Sequence, residues 1–333
     1  MAQLMIRPVG NNCNLSCEYC NKNSQIDSQM SLNLLGKSIK KSFKMFKKYG
    51  HKQITVFLHG GEPLLATMEF FYNLEKLLLK YGKGFDIARK IQTNLFVLSQ
   101  ESIELFKNYE YTVFVSLDGS ERLNNLRLDK FGNATYKRVL SNLKKLINNN
   151  ISVKIMVAIG KHNHKKTKQI ISFFNKRNLQ FFINFLKGSK YDLSKKEKQK
   201  FINNLLKDYK RNKNFNNQFL DVIANNNLNR CSFYNTCFKT FPTCVVDFNG
   251  NGYLCNKFLS FTQIPMDSIF NINNNKDLYS QIKQSQLFKT FLKIKVKNNC
   301  SNCSVLPFFC GGLNCPYDLI VKLRRLNKMC FMR

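Results

Sequence analysis

The stretch "LMIRPVGNNCNLSCEYC", residues 4–20, joins a candidate β-strand to a loop with three closely spaced cysteines. Its first six residues are mostly apolar, as expected of a strand buried on both faces. Cys13, Cys17 and Cys20 follow at spacings of four and three residues. Because loops at the carboxyl ends of parallel strands commonly carry function, this stretch predicts a thiol site at one edge of a sheet.

The alternation of strand and helix continues to residue 187. Strand-like segments rich in β-branched or aromatic residues occur at 4–9, 53–59, 85–93, 112–117, 152–159 and 179–186. Helical periodicity between them places apolar residues on one face from Leu32 to Phe46, and further helices at 67–81, 99–107, 134–148 and 164–177. Thr67 and Ser99 fit N-cap positions. Six such units predict an α/β fold with a parallel sheet curled into a partial (β/α)6, TIM-like barrel.

The composition indicates a folded globular protein, because 44% of the 333 residues are apolar. No apolar run approaches the length of about 18 residues that a membrane span needs, and the first residues lack a signal-peptide core. We therefore expect a cytoplasmic protein with no membrane partner. Reduced thiols in a cytosol are metal ligands or catalysts more often than disulfides, and the chain has twelve cysteines.

The formal charge of +33 would attract polyanions such as RNA, DNA or an acidic peptide. The charges are nevertheless spread along the chain on the polar sides of amphipathic helices, whereas a dedicated nucleic-acid arm would be clustered. Abundant Lys, Asn, Ile and Phe also fit an AT-rich coding sequence. Nucleic acid is therefore not the expected partner.

The chain changes character after residue 187. Residues 188–230 lack strand patterns and predict a helical bridge of one or two surface helices. Residues 231–333 hold nine of the twelve cysteines, too many for an ordinary core. We therefore predict three parts: a core at 1–187, the bridge, and a cysteine-rich domain at 231–333.

The three thiols near the start of the chain suit an iron-sulfur cluster, because soft sulfur ligands match iron. A 4Fe-4S cluster held by Cys13, Cys17 and Cys20 keeps one iron open for a small molecule. A zinc site is the structural alternative, but zinc normally takes four ligands and no histidine or fourth cysteine stands nearby.

These residues resemble the motifs of the radical S-adenosylmethionine (SAM) enzymes. Residues 13–20 have the CxxxCxxC form, with the aromatic Tyr19 before the third cysteine. "FLHGGEPLL" at 57–65 is similar to the family's GGEP motif, and 91–98 and 115–127 are similar to its third- and fourth-strand segments. The resemblance implies that the open iron binds the methionine end of SAM. One-electron cleavage would then give a 5′-deoxyadenosyl radical that abstracts a hydrogen atom from the substrate.

The resemblance also implies a set of cofactor-binding residues: Tyr19, Gly60, Gly61, Glu62, Asn94, Ser116 and Arg127. The two glycines remove side chains where a backbone must approach closely, and Glu62 supplies an acceptor for an ammonium group. Arg127 resembles the arginine that contacts the SAM carboxylate, with a solvated surface arginine as the alternative. We interpret His59 as structural, and the sequence assigns no catalytic acid or base.

The later cysteines resemble the SPASM extension of radical SAM enzymes. The resemblance implies two auxiliary 4Fe-4S clusters, the first held by Cys237, Cys244, Cys255 and Cys315. The second would be held by Cys300, Cys303, Cys310 and Cys330. Cys231 stays unassigned, either as a replacement for Cys237 or as a free thiol. Structural zinc held by four cysteines is the alternative for this domain.

The resemblance to SPASM proteins indicates an oxidoreductase that matures a peptide or protein, with an external electron donor such as flavodoxin or ferredoxin. The expected reaction is a thioether, carbon-carbon or cyclophane link in a ribosomally made peptide (RiPP). An acidic leader peptide would suit the basic chain. Formylglycine formation by an anaerobic sulfatase-maturing enzyme is a second possibility. The resemblance implies that this group has an Asp acting as a base where this chain has Asn256, which cannot accept a proton at neutral pH. A radical enzyme that modifies nucleic acid and a non-catalytic metal scaffold also stay open.

Overall fold

The protein is described by a computed structural model covering residues 2–20, 28–186, 189–212, 216–224, 243–254, 268–286 and 288–289. Its strands form one sheet in the order β6-β5-β4-β3-β2-β1-β7-β8-β9. They are β1 Ala2–Arg7, β2 Gln53–Leu58, β3 Asp86–Thr93, β4 Thr112–Ser116, β5 Ser152–Ile159, β6 Phe181–Phe185, β7 Thr243–Asp247, β8 Asn251–Tyr253 and β9 Phe270–Asn271.

The first six strands pair in parallel with their sequence neighbours, so the predicted α/β fold with a parallel sheet is confirmed. A sheet of this order needs a crossover after every strand, and each gap holds a helix packed on the sheet. The carboxyl ends of all six strands therefore share one edge, where the loops after them meet.

The helices lie near their predicted positions. They are α1 Leu32–Lys48, α2 Met68–Tyr81, α3 Gln100–Asn108, α4 Tyr136–Asn148, α5 Thr167–Asn175, α6 Lys195–Lys210, α7 Gln218–Ala224 and α8 Leu278–Gln284. The predicted caps are confirmed, because the Thr67 hydroxyl accepts from Phe70 N and the Ser99 hydroxyl accepts from Ser102 N.

Two helices begin later than the sequence predicts because side chains are engaged elsewhere. Before α4, the Thr135 hydroxyl does not cap the helix and instead donates to Arg127 O at 2.7 Å. Before α5, Asn163 closes a turn in which its Oδ1 accepts from Gly160 N at 3.0 Å. The backbone N–H groups of His164 and Lys166 donate within the same turn, to Gly160 O and Asn163 O. These contacts hold Thr135 and residues 164–166 outside the helices to which periodicity alone assigns them.

The two faces of the sheet differ in burial. On the outer face, Val56, Ile91, Val113 and Ile155 are at most 2% exposed beneath the helices. On the opposite face, alternate positions such as Gln92 are only half-buried. This period-2 pattern is the expected one for a sheet whose helices cover one side and whose other side lines a concave interior.

Strand β7 extends the same sheet, since it pairs in parallel with β1. Arg7 and Asp247 reinforce the junction through a buried ion pair at 2.8 Å. Strand β8 then returns antiparallel to β7 through a turn with Gly250 at φ +87°. Within the described ranges, no helix is long and apolar enough to cross a membrane.

Candidate functional site

The cysteine loop, residues 10–20, leaves the carboxyl end of β1 and docks against the turn after β2. Two backbone hydrogen bonds of 2.7 Å join them, from Gly61 N to Gly10 O and from Glu62 N to Asn12 O. A Cβ on Gly61 would lie 1.7 Å from Asn12 O, which is impossible without movement. Glycine is therefore required at position 61 because the backbone of the cysteine loop approaches it closely.

Glu62 connects this turn to the end of β3. Its side chain is fully buried, Oε1 accepts from Thr93 Oγ1 at 2.7 Å, and Oε2 accepts from Asn94 N at 2.6 Å. Oε1 also accepts from Leu64 N at 3.0 Å. The structure thus gives Glu62 an observed role as a brace between two strand ends, while a contact to SAM stays a prediction.

Asn94 reaches from β3 to the cysteine loop. Its Nδ2 lies 3.5 Å from Cys13 Sγ and donates to Asn14 Oδ1 at 2.8 Å. Asn14 Nδ2 is itself buried and lacks a hydrogen-bond partner in the part of the chain that the structure describes. A buried amide donor beside a cysteine is the environment expected next to an acceptor such as a cluster sulfide.

A buried ion pair lies on the other side of the loop. Asp118 follows β4, and its carboxylate accepts from Arg127 Nε at 3.0 Å and Nη2 at 3.1 Å. The same carboxylate accepts from Tyr19 Oη at 2.6 Å and from Ala158 N at 2.8 Å. Burial lowers the pKa of Arg127, but Asp118, Tyr19 and Cys17 together raise it by more, so the pKa lies above its ordinary value. Arg127 is 8% exposed, and the alternative of a solvated surface arginine is wrong.

Ser116 ends β4 on the concave face of the sheet and is 8% exposed. Gln92 Nε2 lies 3.5 Å from its hydroxyl. The two residues extend the polar site toward the barrel interior. His59 is half-buried and packs edge-on against Phe57 at 5.6 Å between ring centres, which fits the structural interpretation.

The three thiols of the cysteine loop fit a cluster by their chemistry. None is in a disulfide, and Cys13 and Cys17 are partly buried while Cys20 is exposed. Burial above all, with a smaller effect of the nearby Cys20 and Cys13, raises the pKa of Cys17 to about 12, although Arg127 lowers it. The three thiols therefore lie close enough for one thiolate to disfavour the ionisation of the next. Bound iron would offset this repulsion between thiolates, because its positive charge favours the ionised form of each ligand.

The described residues contain no group of three side chains arranged around a single metal ion. A four-iron cluster presents a separate iron to each thiolate. Three thiols on one loop, with the Asn94 amide 3.5 Å from Cys13 Sγ, fit by their chemistry the cluster that the sequence predicts.

Two residues of this site were not singled out from the sequence. Asp118 lies between Ser116 and Arg127, within the segment 115–127 that resembles the family motif, so its sequence position alone marks it as a candidate site residue. His162 gave none, yet its ring stacks on Tyr19 at 5.6 Å between centres. Both of its ring nitrogens are buried without a hydrogen-bond partner in the described region.

Most of the predicted auxiliary-cluster ligands lie outside the described residues: Cys237, Cys255, Cys300, Cys303, Cys310, Cys315 and Cys330, together with Cys231. Cys244 is described, and its environment does not favour a ligand role. It lies on β7 paired with Leu4, is fully buried, and its Sγ is 3.3 Å from Ser42 Oγ of α1. Burial raises the pKa of this thiol to about 12.

Full-length relatives and solved structures share this architecture. A cysteine-type anaerobic sulfatase-maturating enzyme of Clostridium novyi (strain NT) is 24% identical over 93% of this chain and 87% of its own. A serine-type anaerobic sulfatase-maturating enzyme of Bacteroides thetaiotaomicron is 23% identical over 94% of this chain and 82% of its own. The structure of anSMEcpe with bound AdoMet superposes with a TM-score of 0.75 at 23% identity, covering 90% of this chain and 86% of that one. The structure of Streptococcus suis SuiB bound to precursor peptide SuiA superposes with a TM-score of 0.64 at 17% identity, covering 92% of this chain and 70% of that one.

The family model of the radical SAM superfamily matches residues 8–174, just over half of the 333 residues. The match spans the cysteine loop, the turn after β2 and the Asp118–Arg127 pair. It also spans four of the six parallel strands, β2 to β5. The chain therefore belongs to the radical SAM superfamily, and it is a radical SAM enzyme.

Proposed function

We propose that this enzyme modifies a peptide or protein substrate. The observation that carries the proposal is the extent of its similarity: a sulfatase-maturating enzyme matches 93% of the chain, well beyond the radical SAM core. A second solved relative of the same fold, SuiB, is described in complex with its precursor peptide. Similarity that includes the region after the core is informative because function depends on the sites added to a fold and not on the shared fold alone.

The residues of the site have separable roles in this proposal. Cys13, Cys17 and Cys20 would hold the 4Fe-4S cluster, and Asn94 would donate toward the sulfur of Cys13. When bound, the cluster with SAM supplies the 5′-deoxyadenosyl radical that removes a hydrogen atom from the substrate. Tyr19 and the Asp118–Arg127 pair keep one side of the cysteine loop in place through a buried, charge-assisted network.

The direct SAM contacts are proposed for residues that face the concave interior. Ser116 and Asn94 stand at the ends of neighbouring strands, and Gly60 and Gly61 hold the loop close to them. Arg127 uses Nε and Nη2 for Asp118, so a contact to the SAM carboxylate would come from its remaining guanidinium N–H groups. Glu62 would act mainly by fixing the turn.

Two modifications are candidates. Formation of a cross-link in a ribosomally made peptide is our first choice, because Asn256 cannot accept a proton where sulfatase-maturing enzymes have an Asp. Formylglycine formation is the second, and the full-length similarity to cysteine-type and serine-type maturating enzymes favours it. Asn256 lies outside the described residues.

The region from residue 231 onward is proposed as a SPASM-type domain with two auxiliary clusters, joined to the core by the bridge at 188–230. If Cys244 keeps its core position, a first auxiliary cluster held by Cys237, Cys255 and Cys315 would be one thiolate short. We propose Cys231 as the replacement, together with Cys237, Cys255 and Cys315. A flavodoxin or ferredoxin would deliver the electron.

Coexpression with short peptides encoded beside the gene tests the function and separates the two modifications. A cross-link removes two hydrogen atoms from the peptide mass without creating a carbonyl. Formylglycine instead gives an aldehyde that an aminooxy reagent captures. The Cys17→Ala variant is the matched control, since it removes one cluster ligand. Peptides left unmodified by the wild type, with RNA modified instead, would refute the proposal.

A further inference from the structure

The concave face of the sheet carries an aromatic row beneath the polar site. Phe57 of β2, Phe114 of β4 and Phe182 of β6 contact one another at 5.7 and 5.9 Å between ring centres. All three are half-buried, unlike the fully buried residues of the outer face. We call these three rings, with Lys90 and Lys154, the inner face.

Lys90 and Lys154 stand within this row. Lys90 pairs in register with Phe57, and Lys154 pairs with Phe114. The ammonium of Lys154 lies 5.6 Å from the centre of the Phe182 ring. Residues on adjacent strands at the same register share a face of the sheet, so the two cations point into the same concave space as the rings.

The two ammonium groups lack a counter-charge among the described residues. Neither forms an ion pair with a carboxylate there. The acid on this face of β3, Asp86, is four residues before Lys90, or about 13 Å along the strand, and its carboxylate accepts from Gln53 Nε2 at 3.3 Å. Burial and the charge of Lys154 lower the pKa of Lys90. Two neighbouring cations in a partly desolvated space are unfavourable until an anion joins them.

The inner face leads directly to the reaction site. Gln92 is two residues beyond Lys90 on the same face of β3, and its amide contacts Ser116 of the SAM site. Two residues of strand correspond to about 7 Å, which is also the span of two residues in an extended peptide. A substrate segment running along the inner face would thus place neighbouring side chains at the lysines and at the site.

We propose that the inner face binds an acidic side chain of the peptide substrate, with its carboxylate between Lys90 and Lys154 and its apolar neighbours on the three rings. The acidic residue would lie two or three positions from the residue that is modified. This inference rests on the proposed peptide-modifying function. It names the feature by which the enzyme recognises its substrate and orients it below the SAM site.

Binding of two labelled peptides to the anaerobically reconstituted full-length enzyme tests the inference. Both are pentapeptides with a central cysteine, one with glutamate and one with glutamine two positions before it. We expect the wild type to bind the glutamate peptide about tenfold more tightly, the effect of one charge-assisted contact. The double variant Lys90→Gln/Lys154→Gln should lose this preference. Lys90→Arg should keep it, and so should Lys144→Gln, which removes an exposed lysine of α4.

The outcomes separate this inference from the proposed function. Equal binding of both peptides by the wild type, or a preference that survives in the double variant, would overturn the acidic site while peptide modification still stands. Failure to bind either peptide would overturn the acidic site alone, because the coexpression test of peptide modification does not depend on these pentapeptides. If an RNA oligonucleotide or inorganic phosphate binds in a manner that depends on the two lysines and the glutamate peptide does not, the site serves phosphate and the inference is wrong. Thermal unfolding of each variant checks that its fold is retained.

Discussion

Replacing Asp118 with asparagine should destabilise the enzyme and loosen its cysteine loop. The carboxylate is fully buried and accepts four hydrogen bonds, two from Arg127 and one each from Tyr19 and Ala158. The asparagine side chain has the same shape and keeps one acceptor oxygen. Its NH₂ group would face N–H or O–H donors that now donate to the second carboxylate oxygen. The Arg127 charge would then stay buried without a counter-charge.

The size of the effect follows from this burial. Removing one partner of a buried ion pair costs about 3–5 kcal/mol, a large part of the 5–15 kcal/mol that stabilises a typical protein. Asp129→Asn is the matched control. It makes the same chemical change on a nearby loop, where the carboxylate is solvated. Its Oδ1 accepts from the backbone N–H groups of Phe131 and Asn133, and its Oδ2 accepts from Asn133 Nδ2.

Urea unfolding under anaerobic conditions measures the difference. We expect Asp118→Asn to lower the unfolding free energy by about 3–5 kcal/mol, and Asp129→Asn to lower it much less, because it leaves no buried charge without a partner. In the double variant Asp118→Asn/Arg127→Met no charge is left stranded, so its loss should be smaller than the sum of the two single losses. Unfolding of Asp118→Asn at the wild-type midpoint, or additive losses in the double variant, would refute this account of the ion pair.

Two further substitutions test other parts of the structure. Gly61→Ala should displace the cysteine loop, because the new Cβ would lie 1.7 Å from Asn12 O; iron bound after reconstitution should fall, and wild-type iron content would contradict the docking. Its control, Gly36→Ala, adds a methyl 3.7 Å from Leu77 in a helix and should stabilise the protein by about 0.5–1 kcal/mol. Cys244→Ala should cost about 1 kcal/mol and keep all iron, whereas Cys231→Ala should lose auxiliary iron. Iron lost from Cys244→Ala would restore Cys244 as a ligand.

The sequence predicts the local parts of this site better than its long-range parts. Strand ends, N-caps and the glycine turn follow from patterns within a few residues, and they place Cys13, Glu62 and Asn94 at one edge of the sheet. What Glu62 contacts depends on β3, which the chain reaches about thirty residues later. The outer-face position of Cys244 depends on the register between β7 and β1, which no local pattern specifies. The inner face is likewise visible only when three strands are set side by side.

The most direct test of the central claim follows the hydrogen atom. The reconstituted enzyme is incubated anaerobically with SAM, a reductant and a deuterated form of the peptide that coexpression shows to be modified. We predict that 5′-deoxyadenosine forms, that it carries deuterium from the peptide, and that Cys17→Ala forms none. Product without deuterium, or no product from protein with its full iron content, would contradict the claim that this radical SAM enzyme acts on a peptide.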